Sequence, residues 1–191
     1  MNYGMPRCFI AIVLAGLVAT SARAEEPNLS GLIYSPWTKL CLAETCFVGS
    51  EGRSVPDCAS IVSAVLIERQ GEAKKALSVI LPSRVNAARG VRIIIDQGQP
   101  IERPYAGCSV GGCKAEYEAG TELVANLKHG RILVIETVDK ANSPISVAIP
   151  LVGFADAYDG APQEPKVIET TQEKLQVEIK ERTARCEAGQ R

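Results

Sequence analysis

Two cysteine pairs of equal spacing constrain this chain most: Cys41-Leu-Ala-Glu-Thr-Cys46 and Cys108-Ser-Val-Gly-Gly-Cys113. Four intervening residues let each pair close across a tight hairpin. The Gly111-Gly112 step can take the positive φ values that such a turn needs. A bond at either place closes a loop of six residues, which the chain-entropy account values at about 2 kcal/mol. Such a staple pins strand register and does not hold distant parts together. A zinc site built from the two pairs is the alternative, but the chain has a single histidine. A thiol oxidoreductase needs a C-x-x-C step at a helix N-terminus, and neither pair has that spacing.

The N-terminus decides between these uses. Residues 1–24, MNYGMPRCFIAIVLAGLVATSARA, read as an export signal. Arg7 supplies the positive start, Phe9 to Ala19 is an apolar run too short to span a bilayer, and Ala22-Arg23-Ala24 is a small-x-small cleavage site. A chain cleaved after Ala24 folds where thiols oxidise, so its cysteines are read first as disulfides. Of the seven cysteines Cys8 leaves with the signal, and six remain. Cys58 and Cys186 are left after the two hairpin pairs. They bond to each other, stay free, or let Cys186 link two chains; sequence does not settle connectivity.

Cleavage leaves 167 of the 191 residues, enough for one domain with a real core. Arg7 and Arg23 are lost, so the 21 basic residues become 19 against 22 acidic ones, a net charge of −3. That balance excludes nucleic acid as an expected partner. No second apolar stretch is long enough for a membrane span. With aromatics only 5% of the chain, Val, Ile, Leu and Ala must build most of the core.

The expected organisation is a leader over 1–24, a flexible lead-in over 25–35, a β-sandwich domain over 36–160, and a linker with a helical tail over 161–191. Strands are expected at Thr45 to Gly49, Ile61 to Glu68, Ala76 to Leu81, Val91 to Asp96, Arg131 to Val138 and Ile145 to Leu151. Gly49-Ser50-Glu51-Gly52 reads as a turn ending the first of them. Asp96 to Pro100 reads as a turn into a short edge segment, and Tyr105 to Tyr117 folds back around Gly111-Gly112. One short internal helix is expected over Thr121 to Lys128, with Leu123, Val124 and Leu127 on one face, Thr121 as N-cap and Gly130 at its end. Phe154 to Tyr158 reads as a helical turn closed by Asp159-Gly160. Seven or so short strands without regular intervening helices favour a mainly β sandwich over an α/β fold.

From Lys166 to Arg185 Gly and Pro vanish, and Ile168, Leu175 and Ile179 form a narrow stripe. This is a charged C-terminal helix, lying on the domain or joining two copies as a homodimer. Trp37, four residues before Cys41, reads as core packing, with ligand stacking as the other use. His129 sits at a helix end, where an imidazolium favours the dipole. Glu116 and Glu118 beside Lys114 read as a solvated face. There is no G-x-S-x-G, G-x-G-x-x-G or P-loop motif. The expectation is no enzyme, no catalytic residue, no cofactor and no metal.

Several runs in order resemble the invasion-associated locus B (IalB) family. They are Trp37-Thr-Lys-Leu-Cys41 with Cys46-Phe-Val-Gly49, then Ala64-Val-Leu-Ile-Glu68 before Gly71-Glu-Ala-Lys-Lys75, then Leu81-Pro82. Ile95-Asp-Gln-Gly-Gln-Pro100, Pro104-Tyr105 with Cys108 and Gly112-Cys113, and Phe154-Ala-Asp-Ala-Tyr-Asp-Gly160 complete the series. The resemblance runs from about Ser35 to Lys180. It implies an immunoglobulin-like β-sandwich, with Cys41–Cys46 and Cys108–Cys113 as the bonded pairs. It also implies an envelope protein of a Gram-negative bacterium, in the periplasm or at the outer-membrane surface, with no known enzymatic activity. Its implied partner is an envelope or host surface protein, in a context of host-cell entry. Cys58, Cys186 and the short Cys41–Cys46 loop depart from the family pattern. The competing reading is a periplasmic small-ligand carrier or an enzyme with an unadvertised pocket.

Overall fold

Alternation of apolar and polar residues organises the chain into two antiparallel sheets, seen in a computed structural model that describes residues 31–55, 57–163, 174, 176, 177 and 180. The leader with Ala24, Cys186 and the stripe residues Ile168, Leu175 and Ile179 lie outside the described residues. The strands are β1 (Leu32–Tyr34), β2 (Thr38–Leu42), β3 (Thr45–Ser54), β4 (Ser60–Arg69), β5 (Lys75–Leu81), β6 (Val91–Ile95), β7 (Ile101–Arg103), β8 (Tyr105–Ser109), β9 (Gly112–Ala119), β10 (Ile132–Val138) and β11 (Pro144–Pro150). Seven form one sheet in the order β1-β3-β4-β5-β9-β8, with β2 also on β3; four form the other in the order β11-β10-β6-β7. The chain passes between the sheets at Pro104, where β7 ends and β8 begins.

The core fills the space between these layers. In β9, Cys113, Ala115, Tyr117 and Ala119 are buried while Lys114, Glu116 and Glu118 are exposed. Register lines Val48, Leu66, Leu77 and Tyr117 into one buried row across the large sheet. Val91, Ile93, Leu133, Ile135, Val147 and Ile149 face them from the small sheet. Each such side chain contributes about 1.5–3 kcal/mol on burial.

Side-chain donors cross the gap, three of them to backbone carbonyls of β6 and β11. Tyr117 donates to the Val91 carbonyl at 2.9 Å, Tyr34 to that of Ala148 at 2.6 Å, and Trp37 Nε1 to that of Pro150 at 2.8 Å. Burial pushes the Tyr117 phenol far above its ordinary value. The neutral phenol is thus favoured in the fold, and its stabilisation is complete below about pH 10 and lost as pH rises further. Urea midpoints should fall between pH 9 and pH 11, and Tyr117→Phe should reduce that fall.

Two helices close one end of the sandwich. Helix α1 (Thr121–His129) buries Leu123, Val124 and Leu127, the expected face. Its N-cap is Gly120 and not Thr121, and no side chain caps it. Gly130 follows the helix for reasons of space: a Cβ there would lie 2.6 Å from Ile95 Cγ2. Helix α2 (Phe154–Asp159) replaces the expected single turn and ends at Gly160.

The expected turn at Gly49 to Gly52 does not form; β3 continues through it, with only a register shift against β4 between Gly52 and Arg53. Gly52 is a packing residue there. A Cβ would sit 2.9 Å from Tyr34 Cε1 and 3.1 Å from Val62 Cγ1. The Tyr34 ring fills that space, which makes part of the expected lead-in a strand, since Leu32–Tyr34 pairs with Ser54 to Gly52. Gly52→Ala should therefore cost about 1–3 kcal/mol, read as a lower urea midpoint with an unchanged slope.

Candidate functional site

Both hairpin staples are present. Cys41 lies directly opposite Cys46 in the β2–β3 ladder, and Cys108 opposite Cys113 in β8–β9. Both pairs are bonded, each with a Cα–Cα separation of 4.0 Å. Gly112 has φ +125°, and a Cβ there would meet the Leu81 carbonyl at 2.4 Å. The tips lie at opposite ends of the large sheet, since Cys46 pairs across to Glu68 and Cys113 to Leu81. Cys58 is half-buried with φ +53° and makes no disulfide among the described residues.

Trp37 packs in the core and begins an aromatic series. Its ring meets Phe154 edge-on at 5.0 Å, and Phe154 stacks on Tyr158 at 6.0 Å. Three lysines surround Tyr158: the Lys39, Lys75 and Lys128 ammonium groups lie 5.9, 5.9 and 5.4 Å from its ring centroid. Each is also engaged elsewhere. Lys39 donates to the carbonyls of Tyr158 and Gly160 at 2.8 and 3.2 Å, capping the negative end of α2. Lys75 pairs with Glu68 at 3.0 Å and Lys128 with Asp159 at 2.7 Å. The Glu68 carboxylate, then Tyr158, raises the Lys75 pKa. The cluster fastens α2 over the end of the sandwich. Sequence reasoning missed it, because Lys39 and Tyr158 are 119 residues apart.

A groove of about 480 Å³ opens at the other end, lined by Arg89, Arg92, Glu102, Glu136, Pro144 and Ser146 among others. Arg92 pairs with Glu136 across β6 and β10, and Glu102 stands opposite Arg92 on β7. Thr137 on the groove wall donates to the Gly90 carbonyl at 2.8 Å and accepts from Tyr105 at 3.0 Å. Charges of both signs thus lie beside Val91, Val138 and Ile145 on its walls. The adjoining edge of β11 is blunted. The Leu151 N–H bonds to the Arg131 carbonyl, so Pro144, Ser146, Ala148 and Pro150 turn their backbone groups outward. Two of these have no N–H, and Tyr34 and Trp37 take two of the carbonyls.

The remaining sequence candidates sit apart from both places. His129 is exposed at the end of α1, with Nδ1 2.8 Å from the Ala125 carbonyl. Glu116 pairs with Lys114 at 2.8 Å and Glu118 with Lys74 at 3.0 Å on the exposed face of β9. Among the described residues no group of His, Cys, Asp and Glu is spaced to hold a metal. No described helix is long and apolar enough to cross a membrane.

The family model described as "Invasion associated locus B (IalB) protein" matches residues 37–162. This span runs from Trp37 through both staples, the groove and α2. The chain belongs to the IalB family. The fold agrees with a crystal structure of invasion associated protein B from Bartonella henselae, at a TM-score of 0.57 and 17% identity. That match covers 66% of this chain and 94% of the other. Comparison with curated proteins returned no match. IalB membership and the mainly β sandwich therefore stand as the resemblance implied.

Proposed function

We propose that this IalB-family chain is an exported, non-catalytic envelope protein of a Gram-negative bacterium. It acts through contacts with another macromolecule, in the periplasm or at the outer-membrane surface. The observation that carries the reading is the pair of stapled hairpins within the family-matched span. Such bonds persist in oxidising compartments. The mixed-charge groove between β7 and β11 supports a contact role, since interface rims are polar and charged.

The test is capture from solubilised envelope with the tagged wild-type protein and with Arg92→Glu, which breaks the Arg92–Glu136 pair at the groove. A specific partner retained by the wild type and lost by the variant supports the reading. Equal recovery by both removes the groove from it. No capture above background, together with wild-type envelope integrity in a deletion strain, contradicts it.

A further inference from the structure

The small sheet covers one face of the large sheet, and the other face carries an apolar patch on β2 to β5. The odd-and-even rule of strands puts Leu40, Phe47, Ile67 and Ala76 in one register row on the outward face. Val65 and Ile80 extend that patch. The large residues among these are only partly buried, and none belongs to the core cluster or packs against it. Gly49, Ser63 and Ser78 lie among them and keep the surface low. An antiparallel sheet turned to water on one side normally carries polar residues there. Neither described helix covers this face: α1 packs on α2 and β9, and α2 on the β2–β3 side of the closed end.

The chain itself offers the cover. After α2 it returns to the edge of the large sheet, where the Gln163 N–H bonds to the Lys39 carbonyl of β2 at 2.8 Å. Lys39 is the neighbour of Leu40, so Gln163 lies at the border of the apolar patch. Five extended residues reach about 17 Å, which crosses three strand spacings of about 4.8 Å. The apolar residues that follow are Val167, Ile168, Leu175, Val177 and Ile179, of which Ile168, Leu175 and Ile179 share one helical stripe. Lys174, Gln176, Val177 and Lys180 are helical and exposed, and all four lie off that stripe. The segment carries charges of both signs, and Lys114, Glu116 and Glu118 rim the patch on β9.

We infer that the segment Lys166–Arg185 of the same chain docks its Ile168–Leu175–Ile179 stripe on the outward face of the large sheet, over Leu40, Phe47 and Ile67. Full-length protein carrying photoreactive p-benzoylphenylalanine at position 47 tests this. Irradiation at low concentration should give a product of monomer mass, with the adduct mapped within residues 166–185. Leu175→Asp should lower its yield at least tenfold. The same probe at position 67 repeats the reading should the change at Phe47 disturb folding. An adduct between two copies, an adduct elsewhere in the chain, or a yield unaffected by Leu175→Asp overturns the inference.

Discussion

Phe154→Ala should lower the unfolding free energy by about 3–5 kcal/mol, the range for truncating a buried aromatic. Phe154 has no exposed surface. It joins the Trp37 ring to Tyr158, and Tyr158 is the ring on which Lys39, Lys75 and Lys128 converge. Truncation therefore opens a cavity and loosens the seat of α2 together. Urea unfolding followed by far-UV circular dichroism measures the cost. Val152→Ala, two residues away and 84% exposed, should change stability by less than about 0.5 kcal/mol. Equal effects at the two positions would show that α2 does not pack as described.

Replacing Cys108 and Cys113 together by serine should cost about 2–4 kcal/mol. Opening a short loop accounts for about 2 kcal/mol of this. The rest comes from Cys113, which is 2% exposed and would become a buried hydroxyl. The Cys41–Cys46 pair closes a loop of the same size, but both cysteines are partly exposed. Its serine pair should cost only the loop term, about 2 kcal/mol. The difference between the two double variants, read from urea midpoints, checks the burial argument independently of the loop argument.

Much of the sandwich was legible in the sequence. Strict alternation in β9 and the β-branched runs of β4 and β10 carry their own signal. So does α1, whose buried residues Leu123, Val124 and Leu127 sit at helical spacing. The short strands were not legible. β1 and β7 are three residues each, too few for a period to appear, and β1 forms because Tyr34 fits over Gly52. The Gly49–Gly52 turn was misread because a glycine that makes room and a glycine that bends the chain look alike in sequence. The lysine cage on Tyr158 and the Arg92–Glu136 groove depend on residues that only the register brings together. The equal spacing of the cysteine pairs was the exception, since hairpin closure is local.

The proposed function requires this IalB chain to leave the cytoplasm and to mature as an oxidised β-sandwich stapled at two hairpins. Peptide mapping by mass spectrometry, on protein taken from native envelope with thiols alkylated at lysis, tests it most directly. The expected peptides show an N-terminus at Glu25, a Cys41–Cys46 link and a Cys108–Cys113 link. A cytosolic chain that retains residues 1–24 and carries alkylated Cys41, Cys46, Cys108 and Cys113 would contradict it.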